Sequence, residues 1–302
     1  MNLYGIPYMG SKTAIAEELI SILPSGKRFV DLFGGGFAMS HCAIMSGKYN
    51  KVYYNELNPL LVELIKKAIA GYYSYERFKP EFITRDKFAE LKDKDGYIKY
   101  IWSFGNQGGA YLFGKDIEEQ KKAFHNAVVF GEMEKACEYV PELINIKGKT
   151  IKERRLSYSK IVKEKNIRSD LPELQQLERL QQLERLERLE RLEQLERLEQ
   201  LEQLEISCGS YADYSFKEGD VVYCDPPYEG TAEYDGGFNH KEFYEWVATR
   251  PYKVYFSSYE ISDKRFYNIW QRKKLTTLSA NNNSGERIET SYCNKADKIT
   301  LF

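Results

Sequence analysis

The chain has 302 residues, of which 42% are hydrophobic and 29% charged, and its formal net charge is −1. This length is enough to bury one or two substantial cores. No apolar run approaches the ~18 residues of a membrane span and the first residues form no basic and apolar leader, so we expect no membrane insertion and a cytoplasmic location. Five scattered cysteines without a C-x-x-C pair argue against a disulfide framework or a thiolate zinc site.

A strand, a glycine turn and a helix are predicted in succession near the start of the chain. Residues 29–33 favour a strand, residues 34–36 are all glycine, and residues 37–43 favour a helix. Glycine lets the backbone approach a ligand closely, at the strand end where doubly wound sheets bind nucleotides. Because the glycines are contiguous and no Lys-Ser/Thr follows them, we predict a nucleoside ligand without a phosphate tail.

Glu56 ends the second predicted strand, residues 52–56. It follows the glycine turn at about the 20-residue spacing that separates a nucleotide-binding turn from its acidic ribose partner. The two oxygens of its carboxylate can accept hydrogen bonds from both hydroxyls of a ribose diol. The alternative is a helix cap, because Asn58 and Pro59 begin the next predicted helix.

Residues 73–169 are predicted to be helical, aromatic and irregular, and we interpret them as a target-recognition domain. Asn106 and Gln107 lie there in a glycine-rich loop. Amide side chains pair bidentately with adenine in the major groove of DNA. The alternative is an ordinary turn between helices.

Charge is segregated along the sequence. Residues 171–205 hold ten Glu and five Arg, hence −5, which leaves −1 − (−5) = +4 for the rest of the chain. Residues 147–168 carry nine Lys or Arg and two Glu, hence +7, with Ser, Thr and Tyr interleaved. Such side chains bind phosphate oxygens, although a solvated basic loop has the same composition. We therefore predict a DNA-binding set: Lys147, Lys149, Lys152, Arg154, Arg155, Asn106 and Gln107.

A leucine recurs at every third position from Leu171 to Leu204, twelve in all, among Glu, Arg and Gln. These residue types favour a helix, and Glu-Arg pairs four residues apart support it. A three-residue step falls ~60° short of a helical turn, so the leucines spiral around every face and a heptad coiled coil is disfavoured. We predict a helical insertion over residues 170–203, with self-association or a protein partner through residues 171–204. A narrow solenoid is the alternative.

The apolar run at residues 221–224 predicts a buried parallel strand, and Asp225, Pro226, Pro227 and Tyr228 follow it. The prolines fix φ and donate no N–H, so the loop cannot continue as a helix. A carboxylate, an exposed carbonyl and a flat ring together can hold a planar amine, which suggests amino-group methylation. The alternative is an ordinary proline-rich turn.

Further elements continue the alternation of strand and helix around this loop. They are a strand at 204–208, a helix at 238–246, a strand at 253–259, a polar turn at 281–287 and a terminal strand at 296–302. We interpret His240 as a helix-start residue rather than a catalytic base.

Four blocks of sequence carry a specific resemblance. In chain order they are residues 6–12 (Ile-Pro-Tyr-Met-Gly-Ser-Lys), 31–36, 55–58 and 225–228. Their content and order resemble the Dam-like family of adenine-specific (N6) DNA methyltransferases, which depend on S-adenosylmethionine. In the first block, Tyr8 and Ser11 depart from the Trp and Gly that are more usual in the family.

The resemblance implies an α/β fold with a Rossmann-like class I methyltransferase sheet. Residues 1–72 and 204–302 would form this catalytic domain, residues 73–169 the helical target-recognition domain, and residues 170–203 an inserted leucine repeat. The implied activity is site-specific methyl transfer from S-adenosylmethionine to N6 of adenine in double-stranded DNA, with S-adenosylhomocysteine as the product and no metal.

The resemblance also implies roles for particular residues. The catalytic loop would be Asp225, Pro226, Pro227 and Tyr228. The cofactor would contact Tyr8, Lys12, Asp31, Phe33, Gly34, Gly35, Gly36, Glu56 and Asp225. The target base would be extruded from the duplex and stacked on Tyr228.

Two other functions fit parts of the sequence. Methylation of RNA adenine or of a protein glutamine amide would use a similar loop, in which Asn often replaces Asp225. A non-catalytic assembly protein would use the leucine repeat as its working part. The aspartate and the N-terminal block favour DNA adenine over both.

Deletion of several leucine triplets tests whether the repeat is an insertion outside the catalytic domain. We expect methyl transfer to DNA to be retained, because lengthening or shortening a surface connection is thermodynamically mild. Transfer of labelled methyl groups to plasmid DNA measures this. Loss of transfer in a deletion variant that stays folded would contradict the assignment.

Overall fold

The computed structural model describes residues 3–74, 78–167, 192, 195, 201–229, 237–275 and 286–296. The chain divides into two compact units. We call the first the sheet unit, formed by Met1–Gly5, Ser11–Val62 and Glu199–Phe302. The second is the helical unit, formed by Ile6–Gly10 and Glu63–Leu198.

A seven-stranded sheet organises the first unit, with strands in the order β3-β2-β1-β4-β5-β7-β6. The pairings among β1 to β5 are parallel, whereas β7 is antiparallel to both of its neighbours. This is the predicted Rossmann-like α/β architecture. Its strands are β1 (Gly26–Asp31), β2 (Tyr49–Glu56), β3 (Leu204–Cys208), β4 (Asp220–Cys224), β5 (Val254–Ser258), β6 (Tyr267–Leu275) and β7 (Glu286–Cys293).

The described α-helices fall in both units. They are α1 (Ala16–Ile22), α2 (Ala38–Met45), α3 (Pro59–Ile69), α4 (Arg85–Leu91), α5 (Gly96–Ile101), α6 (Glu118–Val129), α7 (Glu134–Tyr139), α8 (Ile151–Ile167) and α9 (His240–Thr249). Short 3-10 helices cover Phe104–Asn106, Lys115–Ile117, Pro141–Asn145, Leu201–Gln203 and Tyr211–Asp213. None of the described helices is both long and apolar enough to cross a membrane.

The central strands of the sheet are apolar because both of their faces are covered. α1 and α2 pack on each other, and α2 contacts β1 and β2. A further core includes Val222 and Phe256 from the strands and Phe243 and Val247 from α9, all fully buried. Parallel strands packed in this way direct their carboxyl ends to one edge of the sheet.

The helical unit has its own core between α6, α7 and α8, which includes Phe124, Val128, Leu143 and Tyr158. α8 begins with a capping box: the Glu153 carboxylate accepts from the Thr150 amide, and Thr150 Oγ1 accepts from the Glu153 amide. This box fixes the start of the basic helix.

The structure also shows where the sequence predicted elements incompletely. Neither β6 nor β7 was predicted, and residues 286 and 287 belong to β7 rather than to a polar turn. Residues 281–285 and 297–302 lie outside the described residues, as does most of the leucine repeat. Of its leucines, Leu192 and Leu195 are helical and buried, Leu201 begins a 3-10 helix, and Leu204 is the first residue of β3.

Arg28 anchors the beginning of β1 through a buried charge network. Its guanidinium binds both carboxylate oxygens of Asp220 at 2.9 Å and one oxygen of Glu205 at 3.1 Å. The Arg28 and Asp220 side chains are 7% and 2% exposed, so this pair is desolvated. Glu205 also pairs with Lys51, whose side chain is 58% exposed.

Replacement of Arg28 by Met should therefore destabilise the protein by about 3 kcal/mol, because it leaves the Asp220 carboxylate buried without its counter-charge. Lys51→Met, which removes a cation from the same network at the surface, should cost less than about 1 kcal/mol. Urea denaturation of both variants measures the difference. Equal losses would contradict the assigned roles.

Candidate active site

Three carboxylates lie at the carboxyl ends of adjacent strands. Asp31 is the last residue of β1 and Glu56 the last of β2, while Asp225 directly follows β4. Asp31 is in register with Tyr54 of β2 and Tyr223 of β4, so the strands end side by side. The negative charges of Asp225 and Glu56 raise the pKa of Asp31. We call this set the acidic edge.

Asp31 is almost completely buried. Ser40, on α2, donates from Oγ to Asp31 Oδ2 at 2.8 Å. The other oxygen, Oδ1, is buried and accepts no hydrogen bond from the residues that the structure describes. Burial raises the pKa of Asp31 to about 7, with smaller contributions from the neighbouring carboxylates. The site therefore holds an acceptor oxygen with an unmet demand for a donor or a cation.

Glu56 joins two stretches of backbone. Its Oε2 accepts from the Gly35 amide at 3.0 Å, and its Oε1 accepts from the Asn58 amide at 2.9 Å. The cap of α3 is Asn58, whose Oδ1 accepts from the Leu60 amide. Burial raises the pKa of Glu56, and the backbone bonds oppose that rise. The capping alternative thus applies to Asn58, while Glu56 fixes the glycine turn.

The glycine turn is tightly packed against its surroundings. A Cβ atom on Gly34 would lie 2.1 Å from the Tyr54 ring, and the Tyr54 hydroxyl donates to the Gly35 carbonyl at 2.9 Å. A Cβ atom on Gly5 would lie 2.2 Å from the Gly36 carbonyl oxygen. A side chain therefore does not fit at Gly34 or Gly5, and Tyr54 supports the turn through its ring and its hydroxyl.

Asp225 is paired with a lysine from the start of the chain. Lys12 Nζ lies 2.7 Å from Asp225 Oδ2 and 3.3 Å from Glu289 Oε1. Burial by itself lowers the pKa of Lys12, but the two carboxylates outweigh burial and raise that pKa above its ordinary value. Burial also raises the pKa of Asp225, and Lys12 opposes this effect. Asp225 Oδ1 is buried and accepts no hydrogen bond in the described part of the chain.

The rest of the catalytic loop is held at several points. Pro226 is buried, and the Pro227 carbonyl accepts from His240 Nε2–H at 2.8 Å. The Tyr228 ring packs edge-on against Tyr259, with ring centroids 4.7 Å apart. The Tyr228 hydroxyl donates to Glu289 at 3.1 Å. His240 begins α9, as predicted, and also fixes the loop.

Phe33 belongs to an aromatic cluster beside the acidic edge. Its ring stacks on Tyr211 at 5.1 Å and meets the edges of Phe238 and Phe243. The side chain is only half-buried, which leaves part of the ring accessible. Such a surface suits a flat, apolar ligand group.

Several predicted site residues lie in the helical unit. The Tyr8 ring packs there against Tyr100 at 5.4 Å. The Asn106 side chain donates to the Tyr100 carbonyl at 2.8 Å and so holds its own turn, whereas Gln107 is exposed. The structure does not bring these residues into one unit with Asp225.

The basic residues of the predicted DNA-binding set differ in their surroundings. Lys147, Lys149 and Lys152 are exposed, and Arg155 is half-buried. Arg154 donates to the carbonyls of Val128 and Val129 at the carboxyl end of α6, and to those of Gly148 and Lys149 just before α8. This favours a structural role for Arg154. Within the described ranges, no group of three or more His, Cys, Asp or Glu side chains is arranged to hold a metal ion.

Sequence reasoning missed Glu289 and Ser40. Ser40 lies on a predicted helix, but its hydrogen bond to Asp31 becomes apparent only in the folded structure. Glu289 alternates with Ile288 in β7, and such a pattern predicts the apolar residue inside. The structure reverses it, since Ile288 is 36% exposed and Glu289 is 4% exposed.

A match to a family of known enzymes identifies the reaction class of this protein. Residues 8–250 match the D12 class N6 adenine-specific DNA methyltransferases. The chain belongs to this family. It is also similar to the retron Ec67 DNA adenine methylase of Escherichia coli, with 23% identity over 261 residues, covering 82% of this chain and 72% of that protein. The protein is thus an adenine-specific DNA methyltransferase, and the family implies S-adenosylmethionine as the methyl donor.

The raised pKa of Asp31 predicts how stability changes with pH. Between about pH 4 and 7 the folded protein holds a proton that the unfolded chain has released, so this contribution to stability is complete below pH ~4 and is lost as the pH rises to about 7. From about pH 5 to 7 the free energy of unfolding of the wild type should fall by ~2 kcal/mol relative to Asp31→Asn.

Urea denaturation at a series of pH values measures this difference. Asp213→Asn, at an exposed carboxylate, controls for the change in net charge. A difference between wild type and Asp31→Asn that stays constant with pH would show that Asp31 does not titrate in this range.

Proposed function

We propose that this methyltransferase modifies specific sites in double-stranded DNA, and that Asp225 and the Pro226 carbonyl accept the two N–H bonds of the target amine. The observation that carries this proposal is the position of Asp225 at the end of β4, beside Asp31 and Glu56, with an Oδ1 that accepts no hydrogen bond from any residue in the described ranges. Such an oxygen is an acceptor available to a substrate.

The residues of the acidic edge fit S-adenosylmethionine. Burial and mutual repulsion make the carboxylates of Asp31 and Glu56 favourable partners for a ligand that carries a sulfonium, an ammonium group and a ribose diol. When bound, the cofactor supplies a methyl group already activated by the sulfonium. We assign its site to the following residues of the sheet unit: Lys12, Asp31, Phe33, Gly34, Gly35, Gly36, Glu56 and Asp225. For Tyr8, a cofactor contact stays a prediction from the family resemblance.

The residues of the catalytic loop act by alignment and by polarising the amine. The lone pair of the adenine amine is delocalised into the ring, so the nitrogen is a poor nucleophile. Hydrogen bonds to Asp225 and to the Pro226 carbonyl favour a more tetrahedral nitrogen, which concentrates the lone pair on that atom. Because the methyl group needs no further activation, alignment within the site is the main requirement and we assign no role to a metal.

The target base must leave the duplex to reach Asp225. Tyr228 supplies a ring for it to stack on, and such stacking contributes about 1–3 kcal/mol per base. The contacts of Tyr228 with Tyr259 and Glu289 hold that ring in place before the base arrives. Part of the ordering cost of binding is therefore met in advance.

We assign DNA recognition to residues 73–169 of the helical unit. Lys147, Lys149 and Lys152 are exposed there at the start of a stretch with a net charge of +7. Exposed cations of this kind bind the phosphate backbone and make affinity depend on salt. Gln107 is the exposed amide of the glycine-rich loop and the better candidate for a base contact, because Asn106 is engaged by its own turn.

The leucine repeat remains a predicted insertion. Leu192 and Leu195 are buried within a single chain, so an association between chains through residues 171–204 would use other leucines of the repeat.

Replacement of Asp225 by Ala tests the proposed catalytic role. We expect methyl transfer to fall at least ~100-fold, since both the acceptor and its charge are lost, while the circular dichroism spectrum stays that of the wild type. Mass spectrometry of nucleosides from plasmid DNA measures N6-methyladenine directly. Asp213→Ala, which removes an exposed carboxylate, should retain activity. Wild-type levels of N6-methyladenine with Asp225→Ala would refute the role.

A further inference from the structure

Glu289 is a buried carboxylate, and burying a charge costs free energy unless partners compensate for the lost hydration. A carboxylate that is 4% exposed has lost nearly all of its hydration, while the neighbouring Ile288 is 36% exposed. A strand selected only for stability would place these two side chains the other way round. A buried carboxylate beside an exposed isoleucine is typical of a residue retained for its partners.

Two partners of Glu289 belong to the proposed active site: Lys12, the counter-ion of Asp225, and Tyr228 of the catalytic loop. Its Oε1 lies 3.3 Å from Lys12 Nζ and accepts from the Tyr228 hydroxyl at 3.1 Å. Lys12 Nζ in turn lies 2.7 Å from Asp225 Oδ2 and 4.8 Å from the centre of the Tyr228 ring. One oxygen of Glu289 therefore contacts the counter-ion of Asp225 and the ring proposed to receive the base.

We propose that Glu289 is a positioning residue of methyl transfer, which draws the Lys12 ammonium to one side of Asp225 and fixes the Tyr228 ring. The second carboxylate divides the charge of Lys12. Asp225 keeps Oδ2 on the ammonium, and its Oδ1 stays available and basic toward the amine. This inference rests on the proposed function of Asp225.

The electrostatics agree with this geometry. Burial is the largest cause that raises the pKa of Asp225, Lys12 opposes it, and Glu289 raises that pKa further. The other charged or titratable groups that face Asp225 are Asp31 from β1, Tyr223 and Cys224 from β4, and Tyr228 from the loop. Arg272 and Lys273 of β6 line a cavity of about 200 Å³ together with Lys12 and Glu289. Because Asp225 and Glu289 share Lys12, loss of the Glu289 charge should leave Asp225 as the only charged carboxylate of the two that is paired with Lys12.

The substitution Glu289→Gln isolates this charge, because glutamine keeps an oxygen for Tyr228 and Lys12. Glu205→Gln is the control: Glu205 is another strand carboxylate with two partners, the cations Arg28 and Lys51, and it lies on β3 on the opposite side of the sheet from β7. The titration of Asp225 is followed by carbon NMR of protein with labelled aspartate, and its signal is assigned by its loss in Asp225→Asn. Single-turnover methyl transfer is measured over the same pH range.

In Glu289→Gln we expect the titration of Asp225 and the acid limb of the rate profile to move down by about one pH unit. The plateau rate should fall about tenfold, because a less basic acceptor polarises the amine less. In Glu205→Gln neither should move. A drop in melting temperature of Glu289→Gln with an unchanged Asp225 titration would reduce Glu289 to a structural role and overturn the inference.

The two measurements separate this inference from the proposed function. If the wild type transfers no methyl group to DNA, the proposed function fails, while the NMR titration still decides whether Glu289 controls Asp225. If the wild type is active but Asp225 titrates identically in Glu289→Gln, only the inference fails.

Discussion

One ammonium shared between two buried carboxylates organises this site. Lys12 pairs with Asp225 and Glu289, and their side chains are 8%, 18% and 5% exposed. Two carboxylates and one ammonium leave a net negative charge. The nearby carboxylates of Asp31 and Glu56 make it more negative when they are ionised. Burial makes such a balance expensive unless a cation binds. The imbalance that costs the sheet unit free energy is therefore the same property that favours the proposed binding of a cationic methyl donor.

The sheet topology explains how distant residues meet at this edge. Parallel strands bring the carboxyl ends of β1, β2 and β4 together. β7 enters the same edge because it runs antiparallel: Thr290 pairs with Ser258, the last residue of β5, so Glu289 lies just beyond that strand's carboxyl end. A parallel strand would bring its own carboxyl end here instead. The reversal of β7 thus carries an early residue of that strand into the site.

Those features of the fold and the site that depend on local sequence patterns were predictable from the sequence. The runs predicted at residues 29–33, 52–56 and 221–224 located the central strands, although β1 ends at Asp31 rather than at residue 33, and the side-by-side ends then follow from parallel topology. Glu289 was missed because β7 was not predicted and because composition gives no reason to expect a buried carboxylate beside an exposed isoleucine. The contacts of Arg154 with α6 were not predicted, for a different reason. Its bonds to the end of α6 join segments 25 and 26 residues apart, and a basic composition does not distinguish a cation that closes a helix from one that binds phosphate.

The acidic edge also couples ligand binding to protons. The pKa values of Asp31, Glu56 and Asp225 are all raised, with burial as the largest cause in each. A cation that binds beside them lowers these pKa values, because it favours the charged form. Binding therefore releases protons, and by linkage the affinity for a cationic donor rises as the pH increases toward the pKa of about 7 of Asp31. The burial that makes these groups costly also makes them responsive, since the same carboxylates in water would already be ionised and would gain little from the ligand's charge.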